Sequence, residues 1–461
     1  MSMTNLKGQA EPEYIIRSVL DACADCDTCR YLMDANCIFF PKLYKLYDRE
    51  KETGEIVSPE ELRELTDLCN FCALCPCPNI RADIIRAKTK FVERDGLKFS
   101  IQVLENVERI GKLCGLFPQI SDFLLQHRQT LGFVKKIIGI HRERELPGVP
   151  AESFPAWFGK QPISGLKSKR KVAYFAGCTA RYFFPDVPKA AVEVLRHNGI
   201  EVCYPEQQCC GMPSMLEGDG SQTLKFAQFN IGHLTEIAED GYDIVCSCPT
   251  CGYMLKEVLK EGAYYSREYQ EQSGADSSHI KVSVKPAGSD QREFVFLQRS
   301  IYENLLKDDG YFSSISPMKR IQVAEHTFDL GEYLEALRRT GELKTDFSPV
   351  NARTVYFPPC HLREQKIGMP YLNLLKSLPG ISVTPIESAF YCCGMAGIMG
   401  FKQNFHEPSV RMGSPLVEKI RSLNPERLLT DCLSCRLQFN HLTPYQVFHP
   451  IEILKESYTG C

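Results

Sequence analysis

Apolar residues in this chain fall into short dense runs separated by helical spacings, and the same order of runs occurs twice. KVAYF (171–175) and TVYF (354–357) are rich in Val, Tyr and Phe with little polar alternation, the pattern of a buried strand. Each leads into a stretch of helical period, AAVEVLRHNG (190–199) and YLNLLKSLPG (371–380), and then into a second strand-like run, IEVCYP (200–205) and ISVTPI (381–386). Strand, helix, strand in this order predicts an α/β unit with a parallel sheet. The two copies are offset by about 183 residues, an offset that CCGM at 209–212 and 392–395 repeats.

The first third of the chain has a different rhythm. Val103, Leu104, Val107, Ile110, Leu113 and Leu116 recur every three or four positions until Pro118 interrupts, which predicts helices over 99–145. Ile80, Ile84 and Ile85 mark another helix, with Gly96 as its stop. The polar stretch Leu43 to Leu65 predicts one short helix. Residues 146–168, rich in Pro, Gly and Ser, predict a linker, and the polar middle of 252–350 predicts an exposed insertion.

Composition narrows the class. A length of 461 predicts two to four domains, and 44% hydrophobic with 24% charged residues is ordinary for a globular protein. A net charge of −3 without a basic patch argues against nucleic acid as a partner. The N-terminal residues lack the apolar core of a secretory signal, and no run is long enough to span a bilayer. The expected location is the cytoplasm, where thiols stay reduced and clustered cysteines favour metals over disulfides.

The 22 cysteines then dominate the picture. Eight lie within 23–77: Cys23, Cys26 and Cys29 followed by Cys37, then Cys69, Cys72 and Cys75 followed by Cys77-Pro78. A C-x2-C-x2-C loop wraps one corner of a cubane [4Fe–4S] cluster, and in two-cluster ferredoxins the fourth cysteine of each run crosses to the other cluster. The expected sets are therefore Cys23, Cys26, Cys29 and Cys77 for one cubane, and Cys69, Cys72, Cys75 and Cys37 for the other. The spacing to each fourth cysteine departs from the usual x3. Zinc is the competing metal for such thiols.

Ten further cysteines form two copies of one pattern. Cys178, Cys209-Cys210-Gly211 and Cys248/Cys251 make the first, and Cys360, Cys392-Cys393-Gly394 and Cys432/Cys435 the second. Adjacent cysteines diverge and suit a cluster of unusual shape or two metals bridged by sulfur. The glycine after each pair is read as removing a Cβ where backbone nears the cluster. Gly394, Gly397 and Gly400 serve either that role or close packing. His361 reads first as a satisfied structural residue and second as an iron ligand or a donor to cluster sulfur. Cys246, Cys114, Cys203 and Cys461 read as buried or terminal thiols. Lys135, Lys136, His141, Arg142 and Arg144 form either a solvated helix face or a surface for anionic lipid or a partner protein.

The C, CCG, C-x2-C pattern resembles the cysteine-rich CCG domain found in heterodisulfide reductases. With a two-cluster ferredoxin domain before it, the order resembles the iron–sulfur subunit of anaerobic glycerol-3-phosphate dehydrogenases. PPCH (358–361), CCGMAGIMGFKQNF (392–405), TDCLSC (430–435) and HPIEIL (449–454) carry the likeness. The resemblance implies one noncubane [4Fe–4S] cluster on Cys178, Cys209, Cys210, Cys248 and Cys251. It implies a second on Cys360, Cys392, Cys393, Cys432 and Cys435. The expected fold is α/β and α+β multidomain. An N-terminal α-helical two-[4Fe–4S] ferredoxin-type domain (1–98) leads to a helical connector and linker (99–168). The first CCG domain with its insertion (169–345) and the second CCG domain (346–461) follow.

No dinucleotide fingerprint, P-loop or zinc-protease motif is present. A chain of clusters without its own hydride acceptor needs a donor, so a flavin-containing dehydrogenase or another redox subunit is the expected partner. The exit would be a quinone, a membrane-associated partner on the inner face of the cytoplasmic membrane, or a disulfide. Two readings follow, an electron-transfer subunit of an anaerobic oxidoreductase complex and a heterodisulfide-reductase-like enzyme. A zinc-stapled scaffold is the third.

Overall fold

The computed structural model describes residues 11–33, 37–69, 71–72, 75–126, 128–162, 168–274, 278–284, 293–308, 310–387 and 391–460. Cys461 lies outside them.

Two parallel sheets of four strands organise residues 168–460. The first contains β1 (Lys171–Phe175), β2 (Glu201–Cys203), β3 (Asp243–Cys246) and β6 (Thr327–Asp329), in the order β2-β1-β3-β6. The second contains β7 (Ala352–Tyr356), β8 (Ile381–Pro385), β9 (Arg427–Leu429) and β10 (Gln446–Phe448), in the order β8-β7-β9-β10. The strand order is the same in both, so the repeat read from the sequence is a repeat of topology. Val172 to Phe175 are wholly buried, which is why that run does not alternate. The helices Asp186–His197 and Pro450–Thr459 pack together and join the two units. Tyr174, Leu195, Leu334, Tyr356, Leu375 and Ile451 share their common core.

The N-terminal unit is helical. Pro12–Cys26 packs against Pro78–Asp95, around Ile16, Leu20, Phe39, Leu43, Leu65 and Ile84. The stretch expected as one helix is two, Phe39–Thr53 and Pro59–Asp67. Gly54, with φ 74°, ends the first, and Ser58 opens the second by a reciprocal capping box with Glu61. Polar composition hides this break because both helices are amphipathic.

One other expectation is corrected and two are filled in. The Pro- and Gly-rich stretch after residue 146 is more than a linker, because Phe154 on the short helix Phe154–Phe158 is fully buried in the common core. The insertion between the repeats carries an antiparallel hairpin, β4 (His279–Val284) with β5 (Glu293–Gln298). The stripe over 103–116 is only partly covered, with Leu113 and Leu116 exposed. Its helices, Phe99–Glu105 and Val107–Leu116, are followed by Pro118–Gln126 and Arg128–Ile137.

Candidate metal centre

Every cysteine of the repeated pattern sits at or beyond the carboxyl end of a parallel strand, where such folds build their sites. Cys178 begins the helix after β1, and Cys360 the helix after β7. Cys248 and Cys432 are N-caps of the helices after β3 and β9, each followed one turn on by Cys251 or Cys435. The adjacent pairs occupy loops after β2 and β8.

These ends converge. One cavity of about 290 Å³ is lined by Cys178, Cys210, Cys248 and Cys251 from the first unit and by Cys360, Cys392, Cys393, Cys432 and Cys435 from the second. Cys72 from the N-terminal unit reaches the same cavity. The Sγ atoms of Cys178 and Cys209 are 3.4 Å apart, and those of Cys435 and Cys393 3.1 Å. The connector supplies the apolar wall through Leu104, Val107, Ile110, Val134, Ile138 and Ile140. Isolated Cys114 lines it too.

The thiols are not independent. Cys210 is held down to about 6, by Cys209 first and Cys251 next. Cys393 is held well below its ordinary value by Cys392 and then Cys435. Their neighbours move the other way: Cys251 is pushed well up by Cys210 first, and Cys392 and Cys435 by Cys393 first. Cys432 is also lowered, by Cys435 first, so each set mixes lowered and raised thiols, because several buried negative charges repel unless a cation offsets them. A metal that binds all of them displaces those protons.

A buried cation points the same way. Arg144 is completely buried, its guanidinium bonded to Gln438 Oε1 and 3.0 Å from Met395 Sδ, and it forms no ion pair with a carboxylate among the described residues. Burial lowers it to about 10, and the nearby Cys393 charge opposes that shift. Cys393 and Glu145 offset the cost of that burial only in part, and an anionic thiolate–metal cluster would supply further countercharge. The residues therefore fit an iron–sulfur cluster. The basic tail of the connector is thus neither a solvated nor a lipid-facing stripe throughout. Arg144 and Lys135 point inward, Lys135 donating to the Arg142 carbonyl at 2.8 Å, while Lys136 and Arg142 are exposed.

Behind the first set, Arg181 and Glu108 form a buried ion pair at 2.9 Å. Arg181 also donates to the carbonyls of Gln207 and Gly177, and Glu108 accepts the amide of Cys209 at 3.1 Å. Glu108 belongs to the connector, so this pair fixes the connector to the cysteine loop. The sequence carries no signal for it, because the partners are 73 residues apart.

The N-terminal cysteines lie close enough to act on one another, and Cys75, raised first by burial, feels Cys69, Cys72 and Cys29. Cys23 is pushed up to about 12 by burial, then by Cys29, Cys77 and Cys26. Cys37 is pushed up by burial and then by Cys72, with Cys69 adding less. Each three-cysteine loop turns through a non-glycine residue in left-handed conformation, Asp27 at φ 55° and Phe71 at φ 53°. His361 is satisfied on both nitrogens: Nε2 meets the Phe71 carbonyl at 3.2 Å and Nδ1 the Thr250 hydroxyl at 2.9 Å. It thereby ties the Cys69–Cys72 loop to both repeated motifs. Arg81 and Glu364, 2.9 Å apart, add a second link.

The glycines after the paired cysteines have a different reason from the expected one. Gly211 (φ 91°) and Gly394 (φ 83°) are left-handed, and a Cβ on Gly394 would lie 2.1 Å from the Ser409 carbonyl oxygen. Protein backbone, rather than a cluster, excludes a side chain there. A Cβ on Gly400 would likewise meet Met395 Sδ and Ser409 Oγ, each at 2.8 Å. The glycine that does face a thiol is Gly177, whose Cβ would lie 2.9 Å from Cys251 Sγ. Cys246 is a buried strand residue, and Cys203 is half-buried.

Comparison with known proteins decides the type of these units. The family described as the cysteine-rich domain, CCG, matches residues 172–256 and 354–440. The chain carries two CCG cysteine-rich domains. A component of the anaerobic glycerol-3-phosphate dehydrogenase of Escherichia coli (strain K12) is 25% identical over 380 residues, 81% of this chain and 81% of the relative. A component of the fumarate reductase (CoM/CoB) of Methanothermobacter marburgensis is 26% identical over 304 residues, 64% of this chain and 48% of the relative. An uncharacterized iron-sulfur protein of Methanococcus maripaludis is 24% identical over 289 residues, 62% of this chain and 44% of the relative. Around both matched CCG stretches, this chain folds as parallel α/β sheets. No helix among the described residues is long and apolar enough to cross a membrane.

Proposed function

We propose that this chain is an iron–sulfur electron-transfer subunit of an anaerobic oxidoreductase complex. The observation that carries the reading is convergence: both CCG cysteine sets and Cys72 of the N-terminal unit line one largely apolar cavity. The iron–sulfur chemistry and the redox setting are supported by the relatives named above. Iron–sulfur clusters bound there would accept and pass single electrons.

The ligand sets follow the neighbourhoods of the thiols. Cys23, Cys26, Cys29 and Cys77 hold one cubane cluster, and Cys69, Cys72, Cys75 and Cys37 the other, within a ferredoxin-type domain ending near residue 98. Cys178, Cys209, Cys210, Cys248 and Cys251 hold one noncubane cluster. Cys360, Cys392, Cys393, Cys432 and Cys435 hold a second. Cys360 is raised first by burial and Cys392 first by Cys393, and Cys72 adds to both, which supports transfer between the second cubane and the second CCG centre. The connector excludes water, Arg144 offsets the charge at the second CCG set, and the Arg181–Glu108 pair holds the first CCG loop. The partner is a flavin-type dehydrogenase, with a quinone or a membrane-associated protein as exit. A docking face is supplied by the connector, where Phe99, Leu116, Phe117, Ile120, Phe123 and Phe133 are all exposed.

A second reading, heterodisulfide-reductase-like reduction of a disulfide, is favoured by the placement of both CCG sets on one shared cavity rather than on separate surfaces. An anaerobic assay with reduced viologen as donor separates the two. Re-oxidation by a quinone analogue without consumption of thiol disulfides supports the relay. Catalytic disulfide consumption supports the reductase, and protein without bound iron refutes both.

A further inference from the structure

Beside the second CCG unit, and outside its cysteines, lies a second set of metal-type ligands. His141, Glu143 and His406 each bring a ligand atom within 4.8 Å of the others. The rings of His141 and His406 are nearly parallel, with centroids 4.1 Å apart. They come from distant elements: His141 and Glu143 follow the last connector helix, and His406 begins the helix His406–Leu423. The approach is built by the backbone. Ile140 pairs with Lys402 in an antiparallel bridge, the His141 amide donates to the Phe401 carbonyl at 2.9 Å, and the Gln403 amide to the Gly139 carbonyl at 3.0 Å.

The ligand chemistry is open in an informative way. His406 is 4% exposed and its Nδ1 has no hydrogen-bond partner. The ring also bonds the Gly400 carbonyl, an arrangement that commonly orients a metal-binding imidazole. His141 Nδ1 accepts the Glu143 amide at 3.3 Å, a long bond whose lone pair a cation would take over. Arg144 and Lys135 are nearby positive groups, but Arg144 is engaged with Gln438 and Met395, and Lys135 with the Arg142 carbonyl. Glu143, 3.7 Å from the exposed Arg142, brings the offsetting charge.

We propose that His141, Glu143 and His406 bind one divalent cation of the zinc class, which clips the connector to the second CCG unit. Two imidazoles and a carboxylate suit Zn2+ or Co2+ and contain no sulfur, and His441, whose ring lies 5.3 Å from that of His406 with its Nδ1 also unpartnered, stands beside them. The cation therefore has a structural role, holding the wall of the central cavity, and its binding does not depend on whether the cysteines carry clusters.

The test uses the full-length, anaerobically purified protein incubated with one equivalent of Zn2+. Metal content and zinc X-ray absorption are read for wild type, Glu143→Gln and His406→Gln. The expected result is one zinc per chain with nitrogen and oxygen neighbours at about 2.0–2.1 Å and no sulfur shell. Both variants should bind at least tenfold more weakly at unchanged iron content. Glu143 is exposed, so Glu143→Gln remains informative if His406→Gln fails to fold. Sulfur coordination, no uptake, or uptake unaffected by Glu143→Gln would overturn the proposal.

Discussion

Replacing Arg144 with methionine should have opposite effects on the empty and the cluster-loaded protein. The guanidinium is fully buried and makes no carboxylate ion pair among the described residues, so in the apo-protein its desolvation is offset only in part, by the charges of Cys393 and Glu145. Methionine fills similar space without charge. With a cluster on the Cys393 set, that positive charge favours the reduced, more negative state. At an effective dielectric of about 20, such a charge pair is worth on the order of 1–2 kcal/mol, equivalent to tens of millivolts for one electron. Arg144→Met should thus raise the Tm of the apo-protein, followed by circular dichroism. It should lower the midpoint potential of one cluster by tens of millivolts in an EPR-monitored redox titration. An unchanged or raised potential would refute the countercharge argument, whatever the Tm did.

Cysteine pairs test the crossed ligand sets: Cys26→Ser with Cys37→Ser should remove about eight irons, and Cys26→Ser with Cys77→Ser only about four, by iron analysis. His361→Ala leaves the Phe71 carbonyl and the Thr250 hydroxyl without their partner, so it should destabilise the protein by about 2–3 kcal/mol in denaturant titration. Its iron content should hold while the EPR signal of the cluster on Cys69, Cys72 and Cys75 changes shape. Glu105 gives a pH dependence. Burial first, and Asp219 next, push its carboxyl from 4.5 to about 9, so its proton supports the fold fully below pH 4.5 and that support is lost as the pH rises through 9. Glu105→Gln should therefore gain Tm over wild type progressively from pH 5 to 9, by at most about 1.4 kcal/mol per pH unit, and gain nothing at pH 4.

The parts of this molecule that repeat, or that need a special residue type, are legible in its sequence. The strands at 171–175 and 352–356, the helices behind them and the cysteines beyond their ends stand out because buried parallel strands and thiolate ligands leave dense local signals. Contacts between distant segments leave none. Arg144 looks like one more member of a basic tail until folding places it against Met395 and Gln438. Glu108 and Arg181 carry no pattern at all, and Phe154 is hidden in a stretch whose Pro and Gly content signals a linker. The glycines of the CCG motifs are legible as constrained positions, but the constraint on Gly394 comes from the Ser409 carbonyl. His361 reads as a satisfied residue, and both of its nitrogens are bonded.

The most direct test of the central claim is the iron, zinc and acid-labile sulfide content of the anaerobically purified protein, with EPR of its oxidised and reduced forms. Four clusters predict about sixteen irons per chain, with signals beyond those of ordinary cubanes. About eight irons with cubane signals alone would mean that the CCG cysteines do not hold clusters, and zinc at the cysteines without iron would contradict the redox account entirely.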